Sequence, residues 1–171
     1  MMQLSKLLAA LGADAVTVAA ASDRLVTGIT ADSRQIQPGA IFVAVKGKNF
    51  DGHQALKDVA ALRPSAIVKD ASVPFVAEDV VVIDSLNTRC SLDVLWRVWQ
   101  NYPDQKLCLI GVTGTNGKTT TTYMLEHVFR HVGNSVGVMG TIDHHFGAQT
   151  WTTDLTSPDS KVFFQRLQDF H

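Results

Sequence analysis

Residues 110–120 read Ile-Gly-Val-Thr-Gly-Thr-Asn-Gly-Lys-Thr-Thr, and they hold the residue types best suited to chemistry on a phosphate. A glycine-rich turn between an apolar strand and a helix can aim backbone N–H groups and a helix N-terminus at an anion. In that setting the Lys118 ammonium reaches the outer phosphates of a nucleotide as a point charge, and the Thr119 hydroxyl is a hard ligand for Mg²⁺. Gly114, Thr115, Asn116, Gly117 and Thr120 complete the cradle. The G-x-x-x-x-G-K-[ST] spacing would need glycine at 112, where valine stands between Gly111 and Gly114. The order strand, turn, helix therefore carries the reading.

The flanks must position that turn. Leu107 to Val112 reads as a buried parallel strand, and Met124, Leu125, Val128, Phe129 and Val132 share one face of a helix over about 119–132. Gly133-Asn134 stops the helix, and Ser135 to Met139 is a second strand, giving one βαβ unit. Upstream, the spacing predicts a helix over 3–11, strands over 28–34 and 40–45 around the Pro38-Gly39 turn, and a polar loop over 46–53. A helix over 53–62 ending before Pro64, strands at 66–68 and 80–83, and a helix over 86–102 follow. The fold class is α/β: a small N-terminal α/β domain over 1–104, then at 105–171 the start of a parallel-sheet P-loop domain. Residues 141–151 read as a loop or hairpin, and Thr156-Ser157-Pro158-Asp159 as a helix start with Ser157 as N-cap and Pro158 in the first turn. Val162, Phe163, Phe164 and Leu167 form that helix's buried stripe.

With 171 residues and 46% hydrophobic content, the chain can build a sizeable core. Fifteen basic and sixteen acidic residues leave a net charge of −1, too little field to attract nucleic acid or an anionic membrane in bulk. No apolar run reaches the roughly 18 residues of a membrane span, and the N-terminus lacks a signal-peptide pattern, so a cytoplasmic address is expected. Cys90 and Cys108 form no C-x-x-C and read as small buried side chains. His144-His145 reads as part of a solvated loop rather than a metal site, because neighbours in a strand point apart. His53 reads as a helix-start residue, and Trp96 and Trp99 as core or interface residues. No clear buried strand follows residue 139, and a nucleotide-binding sheet needs more strands to cover its faces. The expectation is an N-terminal part of a longer enzyme.

Gly114-Thr115-Asn116-Gly117-Lys118-Thr119-Thr120-Thr121-Thr122, with the upstream Asp32-Ser33-Arg34, Pro38-Gly39, Phe42-Val43-Ala44 and Asp51-Gly52-His53, closely resembles the Mur ligases, and within them the MurE type. The resemblance covers nearly the whole chain. It implies an ATP- and Mg²⁺-dependent, ADP-forming ligase of peptidoglycan synthesis that adds the third amino acid, diaminopimelate or lysine, to UDP-MurNAc-L-Ala-D-Glu. The substrate carboxylate is phosphorylated and the acyl phosphate is attacked by the incoming amine. The resemblance assigns the γ-phosphate end to Lys118, with Mg²⁺ on Thr119. It assigns uridine and pyrophosphate contacts to Ala31, Ser33, Lys48, Asn49 and Phe50. The muramoyl-peptide contact falls at Thr156 and Ser157, in a segment whose Leu155 and Ser157 depart from the Asn-Thr-Thr of many relatives. The family's second metal ligand, carbamylated lysine and C-terminal domain have no counterpart here, so the isolated chain is expected not to ligate. A folylpolyglutamate- or cyanophycin-type ligase shares the loop, and the 28–53 block argues against it; a MurF-type ligase is a further alternative, from which the Thr-Asn-Gly-Lys-Thr loop separates the MurE type. A non-catalytic UDP-sugar-binding module is the other alternative.

Overall fold

The computed structural model describes residues 1–14, 17, 21, 24–48, 50–152 and 158–171, in two compact units, Met1–Trp99 and Gln100–His171. The first is built on a four-stranded parallel sheet in the order β3-β4-β5-β6, comprising Ile29–Thr30, Ile41–Val43, Ala66–Asp70 and Val81–Ser85. Register pairs Ile41 with Ala66 and Val43 with Val68, and Ala66 with Val81. These central strands are apolar on both faces because helices cover both. Phe42 and Ile67 pack with Leu56 and Val59 of α2 (Leu56–Ala61). On the opposite face, α3 (Thr88–Trp99) contacts β4 and β5, and α1 (Leu4–Ala10) packs on α3. Leu4, Leu7, Leu8, Leu95 and Trp96 are buried there, and Trp96 meets Trp99 edge to face at 6.5 Å. A short antiparallel pair, β1 (Met2–Gln3) and β2 (Leu25–Val26), closes the N-terminal end.

The expected strand over 28–34 is shorter than its apolar pattern suggested. Asp32 accepts the Arg34 N–H and caps a 3₁₀ turn over Ser33–Gln35, which ends the strand after Thr30.

The second unit holds α4 (Lys118–His131), an antiparallel sheet β7-β8-β9 (Gly137–Met139, Asp143–Phe146, Gln149–Thr152) and α5 (Ser160–Asp169). Here several expectations are corrected. Residues 107–112 form no strand and Leu109 and Ile110 are each 52% exposed: β7 pairs with β8 alone, antiparallel, and its outer edge carries no parallel partner from 107–112. The Met124, Val128 and Val132 stripe also faces outward. Instead α4 lies against β7 and buries Glu126, because the hairpin offers that face a charged partner. Cys90 and Cys108 are exposed, since Cys90 lies on the outer side of α3 and Cys108 lacks the strand that would have covered it. His144 and His145 do point apart, but both lie in β8, and His144 is buried at 1% exposure. The last helix starts later than expected, at Ser160, because the Asp159 carboxylate caps Val162 N–H at 2.9 Å. Ser157, the residue expected in that role, lies outside the described residues. Phe164 and Leu167 are buried as anticipated, with Val162 and Phe163 half-buried. Among the described residues no helix is long and apolar enough to cross a membrane.

Candidate functional site

In the first unit, adjacent parallel strands deliver two segments to the same sheet edge, the carboxyl ends where α/β sheets receive ligands. Ala31 and Ser33 follow β3 and are half-buried; the loop over 46–51 follows β4. Asp32 organises the first segment. Its carboxylate takes the Arg34 guanidinium as a fork, Nε at 2.9 Å and Nη2 at 2.8 Å, and accepts from Gln35 at 3.2 Å. The Arg34 side-chain hydrogen bond is the main reason the Asp32 carboxyl is held down to about 2. The second segment is a closed loop: Lys46 bridges Asp51, Gly47 N–H meets the Phe50 carbonyl at 2.9 Å, and Gly52 N–H meets that of Val45 at 3.1 Å. It presents Lys48 and a 54%-exposed Phe50 to solvent. Asn49 lies outside the described residues.

The phosphate-loop candidates are brought together in the second unit. Gly114 and Gly117 adopt φ of +147° and +77°, conformations that L side chains rarely take, so the turn needs glycine at both. Gly117 is the N-cap of α4, no side chain caps the helix, and its first turn holds no acidic residue. The unpaired N–H groups and dipole of that turn are therefore left for an anion. Lys118 Nζ crosses the loop to the Gly114 carbonyl at 2.7 Å. Thr115, Asn116 and Thr120 are exposed, and Lys118 and Thr119 half-buried. Thr122 turns its hydroxyl inward to the Thr119 carbonyl at 2.8 Å. This donor set suits ATP phosphates and Mg²⁺. No group of three His, Cys, Asp or Glu side chains able to hold a metal occurs among the described residues. Thr156 and Ser157 lie outside the described residues.

Two arrangements escaped the sequence. His53, read as a helix-start residue, accepts the Asp70 N–H on Nε2 at 3.0 Å and bonds Asp51 through Nδ1 at 2.6 Å. His145 sits between two carboxylates, Glu126 at 3.1 Å and Asp143 at 2.7 Å, against the Tyr123 ring. Burial disfavours its charge, but hydrogen bonds to Asp143 and Glu126 outweigh that and push its pKa up. Glu126 also holds Arg130 at 3.2 Å. The i,i+4 spacing of Glu126 and Arg130 and the i,i+2 spacing of Asp143 and His145 were the local signals of this cluster.

Two family descriptions match in chain order: "Mur ligase family, catalytic domain" over residues 25–92, and "Mur ligase middle domain" over 112–170. The chain is 40% identical over 140 residues to the UDP-N-acetylmuramoyl-L-alanyl-D-glutamate–2,6-diaminopimelate ligase of Bacillus cereus, an alignment covering 82% of this chain and 28% of that protein. It is 38% identical over 159 residues to the protein of the same description from Lactiplantibacillus plantarum, covering 93% and 32%. The chain thus spans about a third of the length of the curated relatives it matches. Its fold is similar to a solved MurF of Acinetobacter baumannii, with TM-score 0.53, 22% identity, and coverage of 95% of this chain and 32% of that one. With one family block on each unit and such identity across most of its length, the chain belongs to the Mur ligase family.

Proposed function

We propose that this chain supplies the UDP-substrate-binding domain and the opening of the ATP-binding domain of a cytoplasmic MurE-type ligase, one that joins 2,6-diaminopimelate to UDP-N-acetylmuramoyl-L-alanyl-D-glutamate. The observation that carries the reading is the pairing of both family blocks with relatives that all bear this ligase's name. In this reading the first unit binds the UDP end through Ala31, Ser33 and the 48–50 loop, and Thr156 and Ser157 touch the muramoyl peptide. The Gly114–Thr120 turn holds the phosphates, with Mg²⁺ on the Thr119 hydroxyl.

When bound, ATP with Mg²⁺ supplies the phosphoryl group that activates the substrate carboxylate. The protein's own part is positioning and charge neutralisation. Lys118 exchanges the Gly114 carbonyl for phosphate oxygens, and the open first turn of α4 orients them. The test is a ligation assay on the whole protein that carries this chain, supplied with ATP, Mg²⁺, the UDP dipeptide and diaminopimelate. Formation of ADP and UDP-tripeptide is expected, and Lys118→Ala is expected to abolish both. Turnover of a different acceptor to the exclusion of this one would overturn the assignment.

A further inference from the structure

His53 is nearly buried, with its side chain 10% exposed, and lies as expected at a helix start, in the first turn of the 3₁₀ helix Gly52–Ala55 whose N-cap is Asp51. Nε2 lies 3.0 Å from the backbone nitrogen of Asp70, at the end of β5. A backbone N–H can only donate, so Nε2 must be the unprotonated acceptor. The ring proton then resides on Nδ1 and is donated to Asp51 Oδ1 at 2.6 Å. The same carboxylate oxygen accepts the His53 backbone N–H at 3.0 Å. Asp51 is the closing residue of the 46–51 loop, through its bridge to Lys46. The imidazole is thus a two-ended strut, one end on the loop that follows β4 and the other on the carboxyl end of β5. Gly52 leaves no slack beside it: an added Cβ would lie 3.0 Å from Val45 N and 3.2 Å from the Ala44 Cα.

We propose that His53 is a positioning residue for the UDP substrate, holding the Lys46–Asp51 loop against β5 in the single tautomer with its proton on Nδ1, so that Lys48 and Phe50 are presented at the sheet edge beside Ser33. This rests on the proposed function only in taking the loop as the UDP contact. The link across elements is the Nε2 bond, since the Nδ1 bond stays within the loop's own end. Substitutions can separate the two. A glutamine amide reaches the Nε2 position, where its carbonyl can accept from Asp70; an asparagine amide reaches only the Nδ1 position and Asp51.

Two measurements decide it. Nitrogen-15 NMR of the ligand-free chain is expected to show His53 protonated on Nδ1 alone; a proton on Nε2 overturns the proposal whatever the ligand. Calorimetric titration of the parent, His53→Gln and His53→Asn chains with UDP-N-acetylmuramoyl-L-alanyl-D-glutamate and with ATP follows. His53→Asn is expected to weaken the UDP compound by about tenfold, the worth of one lost hydrogen bond to a positioned group, with ATP affinity unchanged. His53→Gln is expected to stay close to the parent. Equal affinity of both variants for the UDP compound, or parallel loss of ATP binding, overturns the positioning role. A parent that binds ATP but not the UDP compound would instead sink the functional reading on which it rests.

Discussion

The Lys118 ammonium donates to the Gly114 carbonyl at 2.7 Å, so the first residue of α4 reaches back to the glycine that opens the turn. One contact therefore closes the loop with the group expected to meet phosphate. Lys118→Ala removes a charge-assisted donor, worth about 1.5–3 kcal/mol. ATP affinity should fall roughly tenfold to a hundredfold by that figure, while affinity for the UDP compound stays unchanged in the same titrations. Equal loss of both would contradict the division of labour between the units.

His144 and His145 have opposite electrostatics although they are neighbours in β8. Burial, then the Arg166 charge, pushes the His144 pKa below 6.5, and its Nε2 has no hydrogen-bond partner among the described residues. His145 is raised above 6.5. For His144 the unfolded chain binds the proton first, so stability is present above 6.5 and lost as pH falls through the folded value. For His145 the stability is present below 6.5 and lost as pH rises through the folded value. Melting temperature should therefore peak near pH 6.5 and decline on either side. His144→Leu should flatten the acid limb and His145→Gln the alkaline limb, each by on the order of a few degrees. The acid limb is distinct from carboxylate titration, because Asp32, Asp51 and Asp70 are all held below 3.8.

Much of the first unit was legible in the sequence, because its signals are local. Leu4, Leu7 and Leu8 announce a helix by spacing alone, and the apolar runs at 66–68 and 80–83 between turn residues announce parallel strands. The turn before α4 was legible for the same reason: Gly114, Gly117 and Lys118 carry its geometry in their residue types. Residues 107–112 misled because an apolar run declares a wish for burial, whereas a strand also needs a neighbour brought alongside it in register, which is a non-local fact. The His53–Asp70 and His145–Glu126 contacts span 17 and 19 positions and depend on where β5 and β8 end up, so nothing in the local pattern could name them.

Gly52→Ala should destabilise the first unit by about 1–3 kcal/mol, because the added methyl meets backbone atoms that cannot step aside. At Gly137 the added Cβ would run into the Phe170 ring, 2.6 Å from its Cγ, and that ring is packed against Phe146 and Trp151, so it must be displaced as a whole. Urea unfolding of Gly52→Ala and Gly137→Ala should show a loss of midpoint in both.

Lys69 is buried in β5 at 3% exposure and pairs across the sheet with Asp84, whose side chain is 63% exposed. Lys69→Met replaces the ammonium by an apolar chain of similar length and should be close to neutral, within about 1 kcal/mol. Asp84→Ala leaves the ammonium buried without its partner and should cost more, about 1–3 kcal/mol. Equal costs in thermal unfolding would mean that the pair, rather than the burial of Lys69, carries the stability.

The central claim is that one chain carries two binding functions, a UDP-muramoyl-peptide site in the first unit and a nucleotide-phosphate site in the second. The most direct test is calorimetric titration of the 171-residue chain with UDP-N-acetylmuramoyl-L-alanyl-D-glutamate. The account predicts saturable binding that survives Lys118→Ala and weakens in His53→Asn. No binding of the UDP compound by a chain with intact secondary structure would contradict it.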